Sequence, residues 1–131
     1  YPFYAYPAST THKINIDDAS KYLPKSYLDS VIYHYNKANY NALLHSDISD
    51  TITNNKLTLP YIKTLRRVYG DIKSAKVLKT TLTYFDSVDT ELRFISVAYE
   101  TVNSGSFGQM AFTYGLKDSS YLLTSIKFYL Q

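Results

Sequence analysis

Residues 77–85, Val-Leu-Lys-Thr-Thr-Leu-Thr-Tyr-Phe, decide the fold class. The stretch is rich in β-branched and aromatic residues, and its apolar positions alternate with Lys and Thr, which is typical of a half-buried strand. The side chains predicted to face the core are Leu78, Leu82 and Tyr84. Stretches of the same kind follow at residues 92–102, 109–116 and 121–130. The chain is therefore predicted to end in four successive strands.

The connections between these strands are too short for parallel pairing. Residues 86–89, 103–105 and 117–120 contain Asp, Asn, Ser or Gly, which are typical turn residues. A parallel pair would need a crossover of about a dozen residues or more. The sheet is therefore predicted to be antiparallel, with its strands in sequence order. The last strand is predicted to turn five side chains toward the core: Leu122, Thr124, Ile126, Phe128 and Leu130.

Helical periodicity precedes the strands. A first helix is predicted from Pro24 to about Lys37, with Ser26 and Asp29 as a capping pair. Its apolar stripe consists of Leu28, Val31, Ile32 and Tyr35. After a break at residues 39–41, a short second helix is predicted from the apolar residues Ala42, Leu43, Leu44 and Ile48.

A third helix has clear signals at both ends. Thr58 is a suitable cap, Pro60 fits the first turn and Gly70 supplies the stop. Its apolar stripe consists of Leu59, Ile62, Leu65 and Tyr69. Helices followed by an antiparallel sheet indicate an α+β fold in which the helices cover one face.

The chain of 131 residues has the length of one domain. Prolines and polar residues make residues 1–13 a poor candidate for regular structure, although Ile14 and Ile16 could form a short strand. We therefore predict an extended N-terminal arm over residues 1–23 and a single α+β domain over residues 24–131.

Composition argues against several classes of function. The net charge is only +3 and the basic residues are scattered, so no nucleic-acid partner is expected. No apolar run approaches the ~18 residues of a membrane span. The four glycines fit no phosphate-binding loop, and His12, His34 and His45 lack the spacing of metal ligands. We predict neither a cofactor nor a metal.

Residues 67–77, Arg-Val-Tyr-Gly-Asp-Ile-Lys-Ser-Ala-Lys-Val, are similar to a helix-to-strand junction found in small bacterial members of the nuclear transport factor 2-like superfamily. The strand around residues 97–100 and the final strand at 121–130 also resemble theirs, so the resemblance spans residues 24–131. It implies a cone: three helices packed on a strongly bent four-stranded antiparallel sheet, with a cavity that opens at one end. It also implies an exported or periplasmic protein, with a cytoplasmic one as the alternative.

Enzymes of this superfamily use an Asp or His inside the cone to move a proton. The resemblance makes His34 the catalytic candidate here, with Tyr99, Glu100 and Tyr114 as further cavity residues. Alternation alone does not decide whether Glu100 points into the cavity or to solvent. A lone His beside an apolar stripe is more often structural than catalytic. No Gly-x-Ser-x-Gly motif positions a nucleophile either, so a non-catalytic role is favoured.

Two hypotheses remain. In the first, the protein is a non-catalytic interaction or assembly module that binds another protein or a second copy of itself through exposed Tyr and Thr on the outward strand face. Lys63, Arg66 and Arg67, mainly off the stripe of the third helix, either form a solvated face or contact an acidic partner. In the second, the protein is a ligand-binding protein or an isomerase- or dehydratase-like enzyme with an apolar cavity.

Overall fold

Five antiparallel strands and three helices make up the computed structural model, which describes residues 10–16, 21–44, 57–86, 93–104, 106–117 and 120–130. The helices are α1 (Lys25–Asn36), α2 (Tyr40–Leu43) and α3 (Leu59–Tyr69). The strands are β1 (Thr10–Ile16), β2 (Ile72–Asp86), β3 (Arg93–Asn103), β4 (Phe107–Lys117) and β5 (Ser120–Leu130). They form one sheet in the order β1-β2-β3-β4-β5. The predicted α+β class and antiparallel order are confirmed, whereas the predicted count of four strands is wrong.

The fifth strand comes from the segment predicted to be an arm. β1 pairs antiparallel with β2, and places Ile14 opposite Leu82 and Ile16 opposite Thr80. The prediction that residues 1–13 lack regular structure is therefore wrong from Thr10 onward. The reason is that β2 is 15 residues long and offers its main-chain donors and acceptors along a free side. Main-chain pairing satisfies these groups without requiring an apolar pattern in β1.

The helices cover one face of the sheet, called the inner face below. Val31 and Tyr35 of α1 and Ile62 and Leu65 of α3 are buried in the core. Leu28 and Ile32 are half-buried against it. The sheet contributes Leu82, Ile95, Val97, Tyr99, Met110, Phe112, Tyr114, Leu123 and Ile126 to the same core. Leu59 was predicted in the α3 stripe but is 39% exposed, because it faces a surface hollow beside α2.

The ends of α3 follow the sequence signals. Thr58 Oγ1 accepts a hydrogen bond from the Tyr61 N–H at 3.4 Å. Gly70 ends the helix with a φ of 82°, a conformation that L side chains rarely adopt. Pairs such as Thr58 and Gly70 mark helix ends locally, which explains why these predictions are confirmed.

The start of α1 differs from the predicted cap. Pro24 is the N-cap and no side chain caps the helix, so the predicted capping pair of Ser26 and Asp29 is wrong. Ser26 lies inside the first turn. Asp29 instead pairs with Lys25 at 3.0 Å, because residues four apart lie on the same side of a helix.

A tight break separates α1 from α2. Ala38 has a φ of 58°, and the Asn39 N–H donates to the His34 carbonyl at 2.9 Å. The predicted break at residues 39–41 is wrong from Tyr40 onward, because the short α2 begins there. This helix buries Leu43, whereas Leu44, predicted to belong to it, lies just past its end. Ile48, predicted to extend this helix, lies outside the described residues.

A β-bulge in β2 overrides the predicted alternation. Val77 pairs with Tyr99 and Lys79 pairs with Ala98, so Leu78 has no opposite residue. Leu78 is 45% exposed and does not reach the core, which corrects the prediction. An inserted residue shifts the side-chain alternation of a strand relative to its neighbour.

A second irregularity changes the core side of β5. Thr113 pairs with Ser125 and Tyr114 pairs with Leu123, which leaves Thr124 as the extra residue. Leu123 therefore occupies the core instead of Leu122, whereas Ile126 faces the core as predicted. The expectation for Leu122 is wrong because the phase of the strand shifts at Thr124.

Candidate interaction surface

Tyr99 and Tyr114, predicted to line a cavity, lie in the packed core of the inner face. The rings of Tyr99 and Phe112 are nearly perpendicular with centroids 5.6 Å apart, and the rings of Tyr114 and Tyr27 have centroids 5.7 Å apart. Burial, with a smaller effect of the Asp29 carboxylate, raises the pKa of Tyr99 to about 12. Burial raises the pKa of Tyr114 as well. Either hydroxyl therefore ionises less readily than that of an exposed tyrosine, which makes both poorly suited to exchange protons with a substrate.

Glu100 lies on the opposite face of the sheet. It pairs with Lys76 on β2 and Gln109 on β4, and its side chain is exposed. The adjacent Tyr99 is buried on the inner face. Successive residues of a strand point to opposite faces, so Glu100 and Tyr99 do not share a site.

His34 lies at the surface, next to the break between α1 and α2. Its Nδ1 is 3.2 Å from Nδ2 of Asn39. It lines a hollow of about 460 Å³ together with Tyr40, Leu59 and Lys63. The Lys63 ammonium lies 5.9 Å from the centroid of the Tyr40 ring. The structure thus places His34 outside the core that holds Tyr99 and Tyr114, and the four predicted cavity residues are not brought together.

The three basic residues of α3 occupy different environments. Lys63 and Arg67 are exposed, but Arg66 is turned toward its own chain. Arg66 Nε donates to the Tyr35 carbonyl and Arg66 Nη2 to the Asn36 carbonyl, each at 2.9 Å, and Nη2 also pairs with Asp71. The guanidinium thereby joins the C-terminal end of α1, where helix carbonyls lack partners, to the end of α3.

Replacing Arg66 is expected to destabilise the fold, whereas replacing its neighbour is not. Arg66→Met keeps the aliphatic stem but leaves the α1 carbonyls without their charged donor, at a cost of about 2 kcal/mol. Arg67→Met, the matched control on the exposed side, should change the free energy of unfolding by less than about 0.5 kcal/mol. Urea denaturation followed by circular dichroism measures both. An equal decrease in the free energy of unfolding in the two variants would contradict the assigned role of Arg66.

The outer face of the sheet carries exposed apolar side chains. Val102 on β3 and Phe107 on β4 are directly opposite each other and are 51% and 64% exposed. Tyr129 on β5 pairs with Gln109, which is two residues after Phe107 and therefore on the same face. Tyr129 is 51% exposed. We call Val102, Phe107 and Tyr129 the outer patch. The sequence predicts Tyr and Thr on this face but not the Val102–Phe107 pair, which is created by the register of the β3–β4 hairpin.

Small side chains continue the outer face beyond the patch. Ala98 pairs with Ala111, and Ser96 pairs with Thr113, whose Oγ1 donates to Ser96 Oγ at 3.4 Å. These side chains are short and half-buried, and they separate the patch from Phe94, which is buried on the same face. Lys76 opposite Glu100 adds both signs of charge beside the patch. Exposed apolar side chains bordered by charges of both signs are typical of a protein-binding face.

The described residues contain no group of three or more His, Asp or Glu that could hold a metal ion. Among the described helices, none has the length and apolar character needed to cross a membrane. Comparisons with protein-family models, with curated proteins and with solved structures each find no match to this chain.

Proposed function

We propose that this protein is a non-catalytic interaction module that associates with a second copy of itself through the outer face of its sheet. The observation that carries the proposal is the outer patch of Val102, Phe107 and Tyr129. Phe and Tyr are enriched in interfaces, and truncating central aromatic residues often weakens binding strongly. The positions of the catalytic and cavity candidates support a non-catalytic role. His34 lies beside the break after α1, Tyr99 lies in the core and Glu100 lies on the outer face.

The charge pattern favours a second copy as the partner, and the chain has enough surface for such a contact. A standard interface covers about 800 Å² on each partner, which is roughly a tenth of the 7998 Å² surface of the chain. In a two-fold contact each copy presents the same surface, so Lys76 of one copy can meet Glu100 of the other. The patch is therefore compatible with itself in both apolar character and charge.

The sheet is further proposed to curve around the helices, as in the cone of the nuclear transport factor 2-like superfamily. The bulges at Leu78 and Thr124 support this proposal, because bulges bend a strand and increase its twist. A convex outer face would then present the outer patch to a partner. Membership of the superfamily and export from the cell stay predictions.

Sedimentation velocity over a wide concentration range tests the self-association. We expect the wild-type protein to dimerise and Phe107→Ser to raise the dimer dissociation constant about ten- to a hundredfold. Tyr33→Ser, at another exposed aromatic residue on α1, is the matched control and should dimerise like the wild type. A wild-type protein that stays monomeric, or a Phe107→Ser variant that dimerises normally, would refute the proposal.

A further inference from the structure

β5 forms an edge of the sheet and borders a groove. Within the described residues it pairs only with β4, and the N-terminal part of α3 lies along its other side. The groove between them has a volume of about 540 Å³. Its lining comprises Leu57, Thr58 and Tyr61 on one side and residues 124–129 of β5 on the other. Main chain and side chains of β5 both contribute to this surface.

The main chain of β5 presents hydrogen-bonding groups to the groove. Tyr61 Oη donates to the Ile126 carbonyl at 2.6 Å, so the main chain of Ile126 faces away from β4. In an antiparallel strand alternate residues face the same side, and Phe128 therefore directs its N–H and carbonyl to the groove as well. At the other end of the edge, the Leu123 N–H donates to Tyr27 Oη at 3.1 Å. Two tyrosine hydroxyls thus occupy positions where the main chain of a further strand would bond.

The positive charge of the groove favours an acidic partner. Lys127 is the only charged residue in its described lining. Lys127 lies on the outer face, opposite Ala111, so a strand added beside β5 would place one of its own side chains next to it. Two copies paired edge to edge about the middle of the groove would bring their like-charged Lys127 residues together, which disfavours self-pairing in that register. An acidic side chain from a different protein is favoured at this position.

We propose that the β5 edge binds an extended, acidic segment of a partner protein as a sixth strand of the sheet. Phe128 supplies main-chain hydrogen bonds, and Lys127 pairs with the acidic side chain of the segment. Tyr61 occupies the Ile126 carbonyl in the free protein and turns away when the segment binds. This edge adjoins the outer patch at Tyr129 but binds a different molecule. Its test depends on Lys127 and Tyr61, whereas the test of the outer patch depends on Phe107, so the two binding experiments have separate outcomes.

The test is selection of phage-displayed random peptides on the wild-type protein, followed by titration of the selected synthetic peptides. We expect enriched peptides to carry Asp or Glu and to protect the Phe128 amide from hydrogen exchange. Lys127→Glu should weaken their binding about five- to tenfold. Lys13→Glu, which makes the same charge change on β1 at the opposite end of the strand order, should leave the affinity unchanged. Tyr61→Phe should strengthen binding about fivefold, because it frees the Ile126 carbonyl.

Several results would overturn the proposal. Failure to enrich any peptide would do so, as would peptides that bind Lys127→Glu and wild type equally. Binding that leaves the Phe128 amide unprotected would place the peptides elsewhere. Loss of self-association in Lys127→Glu, without loss in Phe107→Ser, would assign the edge to a second copy and would refute the acidic partner.

Discussion

Between pH 10 and 12 the free energy of unfolding is expected to fall steeply as the solution becomes more alkaline. Burial raises the pKa of Tyr99 to about 12, and it also raises the pKa values of Tyr35 and Tyr114. In the unfolded chain these hydroxyls lose their protons near pH 10. Above that pH the unfolded state binds fewer protons than the folded state, so stability decreases with rising pH. The stabilising effect of the neutral rings is complete below pH 10 and is lost as the pH approaches the folded-state pKa values.

The expected slope is large because the three tyrosines act together. Each hydroxyl that is neutral when folded and ionised when unfolded contributes about 1.4 kcal/mol per pH unit. Three such groups give roughly 4 kcal/mol per unit, which is comparable to much of the total stability of a small domain. Urea denaturation at successive pH values measures the slope, and tyrosinate absorbance should rise together with unfolding.

Two variants that each lose one tyrosine hydroxyl test whether the buried tyrosines cause this pH dependence. Tyr114→Phe removes one buried hydroxyl, and the slope of its unfolding free energy against pH should be about 1.4 kcal/mol per pH unit shallower than that of Tyr33→Phe, in which an exposed ring is changed. A free energy of unfolding that stays constant across this pH range would show that the tyrosines are not protected from water. Equal slopes in the two variants would exclude Tyr114 as a contributor.

The sequence predicts the fold class because local patterns carry it. The period of the apolar residues changes from helical before Gly70 to two after Ile72, and this change separates helices from strands. Thr58 and Gly70 mark the ends of α3 through their own side-chain and backbone chemistry. Such signals need no knowledge of distant residues.

The features that were missed depend on neighbouring elements. Leu78 and Leu123 have the expected chemistry, but bulges at the β2–β3 and β4–β5 pairings shift the alternation around them. β1 has few apolar residues and is stabilised by a partner far along the chain. A single strand does not encode where its partner leaves a residue unpaired.

The candidate residues show the same limit. Arg66 lies off the apolar stripe of α3, which favours a solvated side chain, yet its partners are carbonyls of α1 about thirty residues away. The alternation of side chains along β3 allows Glu100 to lie on either face of the sheet. It lies on the outer face because the helices pack on the face that carries Tyr99. The Val102–Phe107 contact follows from hairpin register. In each case the tertiary partner decides which surface a residue joins.

Phe112→Ala is expected to be one of the most damaging single substitutions in the sheet. Phe112 is fully buried, lies between Val97 and Ile126 on the neighbouring strands, and contacts the ring of Tyr99. Removing the ring leaves a cavity in the core, which costs about 3–5 kcal/mol. For a chain of this size the melting temperature should fall by roughly 10–20 °C.

Phe107→Ala is the matched control, because it removes the same side chain from the same strand on the outer face. Phe107 is 64% exposed, so the loss of stability should stay within about 0.5 kcal/mol. Thermal and urea denaturation of monomer at low protein concentration, where self-association does not contribute, compare the two variants. The difference tests which face of the sheet the helices cover. Since the outer patch and the position of Lys127 beside an added strand both follow from that arrangement, similar losses in the two variants would remove the basis of both proposed surfaces.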